Sequence, residues 1–247
     1  MPYLITTKNI CQGVKNGFLF FFSCKGEGSV IQWGKQERRK GMSQTHNYQK
    51  DLDAILNTIN PSQPPRLLLH GCCAPCSSYV IEYLSHYFDI TLYYYNPNIS
   101  SYEEFEKRFF ELERLLSEIP QEHPVTLVKG EWEHTRFEEM AQGLEEVPEG
   151  GARCYKCYEM RLEKAAQVAK TGAFDYFTTT LSISPHKNAQ WLNEIGQRLG
   201  LAYGVAHLPA DFKKKGGYAR SIELSRTYDL YRQDYCGCVY SQRKKEG

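Results

Sequence analysis

Seven of the nine cysteines stand in three tight groups: Cys72, Cys73 and Cys76 in HGCCAPCSS, Cys154 and Cys157 in CYKC, and Cys236 and Cys238 in CGC. Thiolates gathered this way are soft metal ligands, or they exchange with disulfides. A disulfide framework belongs to small, loop-rich secreted domains. With 247 residues and 41% apolar composition, this chain can build a core without covalent staples. The expectation is a reactive protein of a reducing, cytoplasmic compartment. The bland alternatives are buried free thiols or one structural zinc site. The wide gap between the CxxC groups weighs against a zinc ribbon, whose knuckles lie about 15–20 residues apart. One tetrahedral zinc or one cubane cluster takes four cysteines, so three of the seven need another role, as ligands of a second metal or as a redox pair. Cys236-Gly-Cys238 would close a tight ring, and strained disulfides are labile.

The elements that position these groups alternate. RLLLH, Arg66 to His70, reads as an apolar strand running straight into the first cysteines, followed by a helix with Val80, Ile81 and Leu84. ITLYYYNPN is a strand ending in the turn signal Asn96-Pro97-Asn98. Ser100 and Ser101, each with a glutamate three residues on, announce a helix whose apolar face takes in Phe105, Phe109, Leu112, Leu116 and Ile119. Val125 to Val128 is a short strand, and a helical piece near Trp132 to Leu144 leads to the link PEGGARC. A helix is expected after CYKC, then a strand over Tyr176 to Thr180, then a helix with Ser184 as N-cap and Pro185 in its first turn. Strands alternating with amphipathic helices predict an α/β fold, a parallel sheet with helices on both faces and a helical C-terminal region. Ligands of such sheets sit beyond the carboxyl ends of the strands, where Cys72, Cys73 and Cys76 fall.

The formal charge of +1 excludes a global attraction to polyanions, so a nucleic-acid surface must be local. Lys213, Lys214, Lys215, Arg220, Arg226 and Arg232 crowd the last third, interleaved with Tyr218, Tyr228, Tyr231 and Tyr235. Such a mixture neutralises phosphates and stacks on splayed bases, or is simply a solvated loop and a helix with a tyrosine face. The longest apolar run near the start, Phe18 to Phe22, is far short of the about 20 residues that span a bilayer, so no membrane partner is expected. Residues 1–41 read as a poorly structured extension, with a working domain, 42–247, starting near Met42. Lys8, Lys15 and Cys24 around the apolar run make a lipoprotein-like signal the alternative.

CCAPCSSYVIEYL, CYKCYEMRLEKAA, TTTLSISPHKN and RSIELSRTYDLYRQDYCGC, in that order, resemble the QueH family of epoxyqueuosine reductases, from about Arg66 to Ser241. The resemblance implies an adenine-nucleotide-alpha-hydrolase-like α/β fold. It implies cobalamin-independent reduction of epoxyqueuosine to queuosine at the wobble position of tRNAs for Tyr, His, Asn and Asp, fed by an unidentified electron donor. It also implies a [4Fe–4S] cluster on Cys72, Cys73, Cys154 and Cys157. Cys236 and Cys238 would then be the redox pair or the ligands of an additional iron ion, with Cys76 as a helper. On the residues alone, Cys73 and Cys76 are as good a cluster pair as Cys72 and Cys73. For that reaction His186, in a strand-to-helix loop with Lys187 and Asn188, is by its position a candidate proton donor to the opened epoxide, with a structural histidine the alternative, and Lys213, Lys214, Lys215 and Arg220 of the basic stretch are the candidate tRNA contacts. His70 reads as a hydrogen-bonded core residue or a support for a ligand. A thiol–disulfide oxidoreductase built on CAPC leaves four grouped cysteines unexplained. A zinc-stabilised RNA-binding module would be colourless and hold zinc alone.

Overall fold

The computed structural model describes residues 46–242 and, ahead of them, three short strands. The chain divides into two units, Met1–Gln44 and Thr45–Gly247. In the first, β1 (Thr6–Thr7), β2 (Ile10–Lys15) and β3 (Phe18–Phe22) pair antiparallel in chain order. The expectations for residues 1–41 otherwise lie outside the described residues. Among the described residues no helix is long and apolar enough to cross a membrane.

The second unit runs α1 (Tyr48–Leu56), β4 (Arg66–Gly71), α2 (Ala74–Leu84), β5 (Asp89–Tyr94), α3 (Tyr102–Glu118), β6 (Thr126–Lys129), α4 (His134–Ala141), α5 (Ala152–Thr171), β7 (Tyr176–Thr179), α6 (Ala189–Tyr203), β8 (Ala206–His207) and α7 (Gly217–Thr227). Its five strands form a parallel sheet in the order β6-β5-β4-β7-β8, with Leu67 of β4 level with Ile90 of β5 and Tyr176 of β7. Alternation along β4 feeds two cores. Leu67 and Leu69 pack with α1, α2 and α3. Leu68 points to the other face, against α5 and α6. Both faces are therefore covered, as a buried parallel sheet requires. The chain leaves β4 for β5 and β6 on one side, then crosses to β7 and β8 on the other. The crevice where strand order reverses thus opens at the carboxyl end of β4, where the first cysteines stand.

Local signals explain most boundaries. The Ser101 hydroxyl accepts from the Glu104 amide at 3.2 Å and caps α3. Two helix starts are displaced from where the sequence signals put them. Helix α5 begins at Ala152, ahead of CYKC, because Gly150 with φ +85° turns the chain sharply just before the Gly151 cap. Helix α6 begins at Ala189 under an Asn188 cap, whose side chain accepts from the Trp191 amide at 3.1 Å. Ser184 and Pro185 instead start a tight turn, closed by the Lys187 amide on the Ser184 carbonyl at 3.2 Å.

Candidate metal centre

Each cysteine group is delivered by a different device. Strand β4 ends at Gly71, and Cys73 caps α2 with Pro75 in the first turn, so Cys72, Cys73 and Cys76 wrap the helix start. Their Sγ atoms all lie within 4.8 Å of one another, and Cys72 and Cys73 are 3.8 Å apart. A tetrahedral ion with metal–sulfur bonds of about 2.3 Å sets neighbouring sulfurs about 3.8 Å apart, so this donor set fits a thiolate-bound metal group. Cys154 and Cys157 sit in the first turns of α5, three residues apart and hence on one helix face. The CGC tail is tied to the loop before α3. The Ser100 amide donates to the Gly237 carbonyl at 3.0 Å, and Asn98 Nδ2 to the Cys236 carbonyl at 3.1 Å.

Two adjoining cavities unite the groups. The larger, about 290 Å³, is lined by Cys72, Cys73, Cys76 and Cys236, with Arg108, Arg161, Lys187 and Glu149. The smaller is lined by Cys154, Cys157, Cys236 and Cys238, again with Arg161, Lys187 and Glu149. Cys236 borders both, and all seven cysteines are free thiols.

In the first and the last cysteine groups one thiol ionises at its neighbours' expense, whereas burial pushes the Cys157 thiol up. Hydrogen bonds from the Cys73 and Cys76 thiols pull the Cys72 pKa well down, against the cost of burial. Sharing with Cys72 pushes Cys73 up to about 12 and raises Cys76. The Cys238 thiol lowers Cys236 in the same way and is itself raised. Burial works against the Lys187 ammonium, yet the Cys236 thiolate, Tyr158 and Glu149 outweigh it and hold that pKa above its ordinary value. Thiolates at Cys72 and Cys236 are the form that binds metal.

Behind the cysteines, His70 is fully buried between the Thr179 hydroxyl at 2.8 Å and the Tyr95 carbonyl at 2.9 Å, and burial followed by Arg161 pushes its pKa down to about 3. It is a neutral core histidine, one of its two expected readings. His186 is exposed at the rim of the larger cavity. Lys213, Lys215 and Arg220 line neither cavity and are engaged elsewhere, with Asp211 at 2.5 Å, Asp53 at 2.6 Å, and Glu82 at 2.6 Å. Lys214 is exposed. From the same stretch Tyr218, Arg232 and Tyr235 do line the larger cavity. The sequence reading missed Arg108, Arg161 and Glu149. It treated Asn96 and Asn98 only as turn formers, although Asn98 bonds the CGC tail and Asn96 accepts from Arg161.

Comparison with known proteins gives a consistent result. A family model described as epoxyqueuosine reductase QueH matches residues 67–244, which include all seven grouped cysteines. Among similar proteins is epoxyqueuosine reductase QueH of Staphylococcus epidermidis, 42% identical over 211 residues, covering 83% of this chain and 89% of that one. That of Streptococcus pyogenes is 40% identical over 215 residues, covering 78% and 84%. That of Thermotoga maritima is 33% identical over 178 residues, covering 71% and 89%. With the cysteine-lined crevice at the sheet's switch point, a match over this span shows that the chain belongs to the epoxyqueuosine reductase QueH family.

Proposed function

We propose that epoxyqueuosine reduction runs in this chain on an iron–sulfur centre held by Cys72, Cys73, Cys154 and Cys157. Cys236 and Cys238 act as the redox pair or hold an additional iron ion, and Cys76 assists as the remaining thiol of the first group. The observation that carries this reading is the position of Cys236 on the border of both cavities, next to each of the other two groups. Turning the epoxide into an alkene consumes two electrons and two protons and releases water. A [4Fe–4S] cluster, when bound, supplies electrons that no ordinary side chain other than a thiol can give.

The chain's own residues bind and orient the substrate. The larger cavity admits the modified base, with Tyr218 and Tyr235 as aromatic walls and His186 at the rim to hand a proton to the opened oxygen. The polymer is tRNA carrying epoxyqueuosine in the Tyr, His, Asn and Asp acceptors, and the electrons come from a separate cytoplasmic donor. Lys213, Lys214, Lys215 and Arg220 are the proposed phosphate contacts, outside the lining of either cavity. Of these, Lys214 is the most available to phosphate, because the other three have carboxylate partners. Anaerobic purification with iron, sulfide and optical analysis tests the centre. Serine at Cys72, Cys73, Cys154 or Cys157 should collapse iron and sulfide content together with activity, whereas Cys236→Ser or Cys238→Ser should abolish turnover and leave most of the sulfide. A colourless protein holding zinc alone would overturn the reading.

A further inference from the structure

Three cations stand beside the cysteines, Arg108 and Arg161 buried and Lys187 half-buried, and they are not equivalent. Arg108 has Glu104 at 2.6 Å, and Lys187 has Glu149 at 3.5 Å. Arg161, 3% exposed and one helical turn beyond Cys157, takes part in no ion pair among the described residues. Its Nη2 donates to Asn96 Oδ1, and its Nε stands 3.4 Å from His70 Nε2. The second contact is weak for a chemical reason. His70 Nε2 faces the Tyr95 carbonyl, which can only accept, so that nitrogen carries the hydrogen. Nδ1 then accepts from the Thr179 hydroxyl, and the imidazole has nothing left to offer a guanidinium. A buried cation with one neutral acceptor is costly unless an anion stands next to it. Arg161 borders both cavities, and therefore both cysteine assemblies. Asn96, from the Asn-Pro-Asn turn, holds it there while donating to the Gly71 carbonyl at 3.0 Å, immediately before Cys72.

We propose that Arg161 is a positioning residue whose charge is balanced by the thiolate-held centre itself, so that it favours the more negative, reduced state of that centre and raises its reduction potential. This rests on the iron–sulfur reading above. Uptake of one electron from a titrant adds one negative charge to the centre. A fixed cation at its edge stabilises that product more than the oxidised state, because the Coulomb interaction is stronger inside the protein than in water. The effect needs no movement of Arg161 and no proton transfer.

The test uses the anaerobically purified full chain and its Arg161→Gln and Arg161→Lys variants. Glutamine keeps a donor for Asn96 and removes the charge, whereas lysine keeps the charge. Iron and sulfide content of the parent is measured first, and its absence would sink the iron–sulfur reading independently of any variant. Potentials are then read by dithionite titration followed by electron paramagnetic resonance. Arg161→Gln should lower the one-electron reduction constant at least tenfold, a fall of about 59 mV, and Arg161→Lys should recover most of it. An unchanged potential in Arg161→Gln would overturn the proposal. A second readout covers a variant that loads poorly. Without the centre the charge is met only by cysteine thiolates, which can take up protons when it is removed, so metal-free Arg161→Gln should melt no lower than the metal-free parent. A clearly lower melting temperature would assign Arg161 to the fold and reject the proposed role.

Discussion

Gly237 shows how one residue sets the geometry of the terminal cysteine pair. Its φ is +100°, and a Cβ there would stand 2.8 Å from Ile99 Cγ1 and 3.1 Å from Arg108 Nη1. Gly237→Ala combines an unfavourable backbone with a close approach, so it should cost about 1–3 kcal/mol in urea denaturation and displace Cys236 and Cys238. A variant as stable and as active as the parent would show that the tail tolerates another path. At this scale the sequence is most legible where chemistry resides in the side chain itself: all seven grouped cysteines could be named from their type and spacing. Arg161 could not, because its role depends on which elements converge. One signal was present, since Cys154, Cys157 and Arg161 follow at intervals of three and four and so share a helix face. It is visible only once α5 is seen to start at Ala152.

Strand β4 carries more than the first cysteines. Its alternation places Leu67 and Leu69 in one core and Leu68 and His70 on the opposite face, where His70 ties β4 to β7 through Thr179 and to the end of β5 through Tyr95. Folded His70 stays neutral down to about pH 3, while its unfolded counterpart takes a proton near the ordinary value of 6.5. Between those limits the unfolded state binds more protons. The contribution is therefore complete above about pH 6.5 and is lost by about 1.4 kcal/mol per unit as pH falls towards 3. In the metal-free protein, His70→Gln should flatten the fall of melting temperature over that window. Parallel pH profiles for parent and variant would contradict a neutral buried imidazole. The alternation of strands with most of the helices was legible because apolar periodicity and caps are local properties. The start of α6 was not: Ser184-Pro185 and Asn188 are both valid cap signals, and a tight turn consumes the first.

On the scale of the whole molecule, a chain of near-neutral charge must hold a large polyanion with few cations. Three of the basic residues grouped near residue 213 are neutralised by carboxylates: Lys213 by the neighbouring Asp211, and Lys215 and Arg220 by Asp53 and Glu82, which lie far away along the chain and so were not legible as partners. Lys214 and Arg232 are exposed, and Arg232 also lines the larger cavity. Replacing these two by alanine should weaken tRNA binding and flatten its salt dependence. Alanine at Lys213, Lys215 and Arg220 together should do less, because each already has an anion. The reverse ranking in a salt-series binding assay would place the polymer on the paired lysines instead. The carboxyl end of β4, the start of α5 and the C-terminal tail bring the three cysteine groups to two adjoining cavities that share Cys236. The most direct test of that convergence is one turnover. Protein purified anaerobically and fully reduced is mixed with limiting epoxyqueuosine-containing tRNA, and the digested nucleosides are read by mass spectrometry. The limiting tRNA should be converted to its queuosine form, with loss of one oxygen atom from the nucleoside. Intact epoxyqueuosine after incubation with protein carrying its full complement of iron and sulfide would contradict the account.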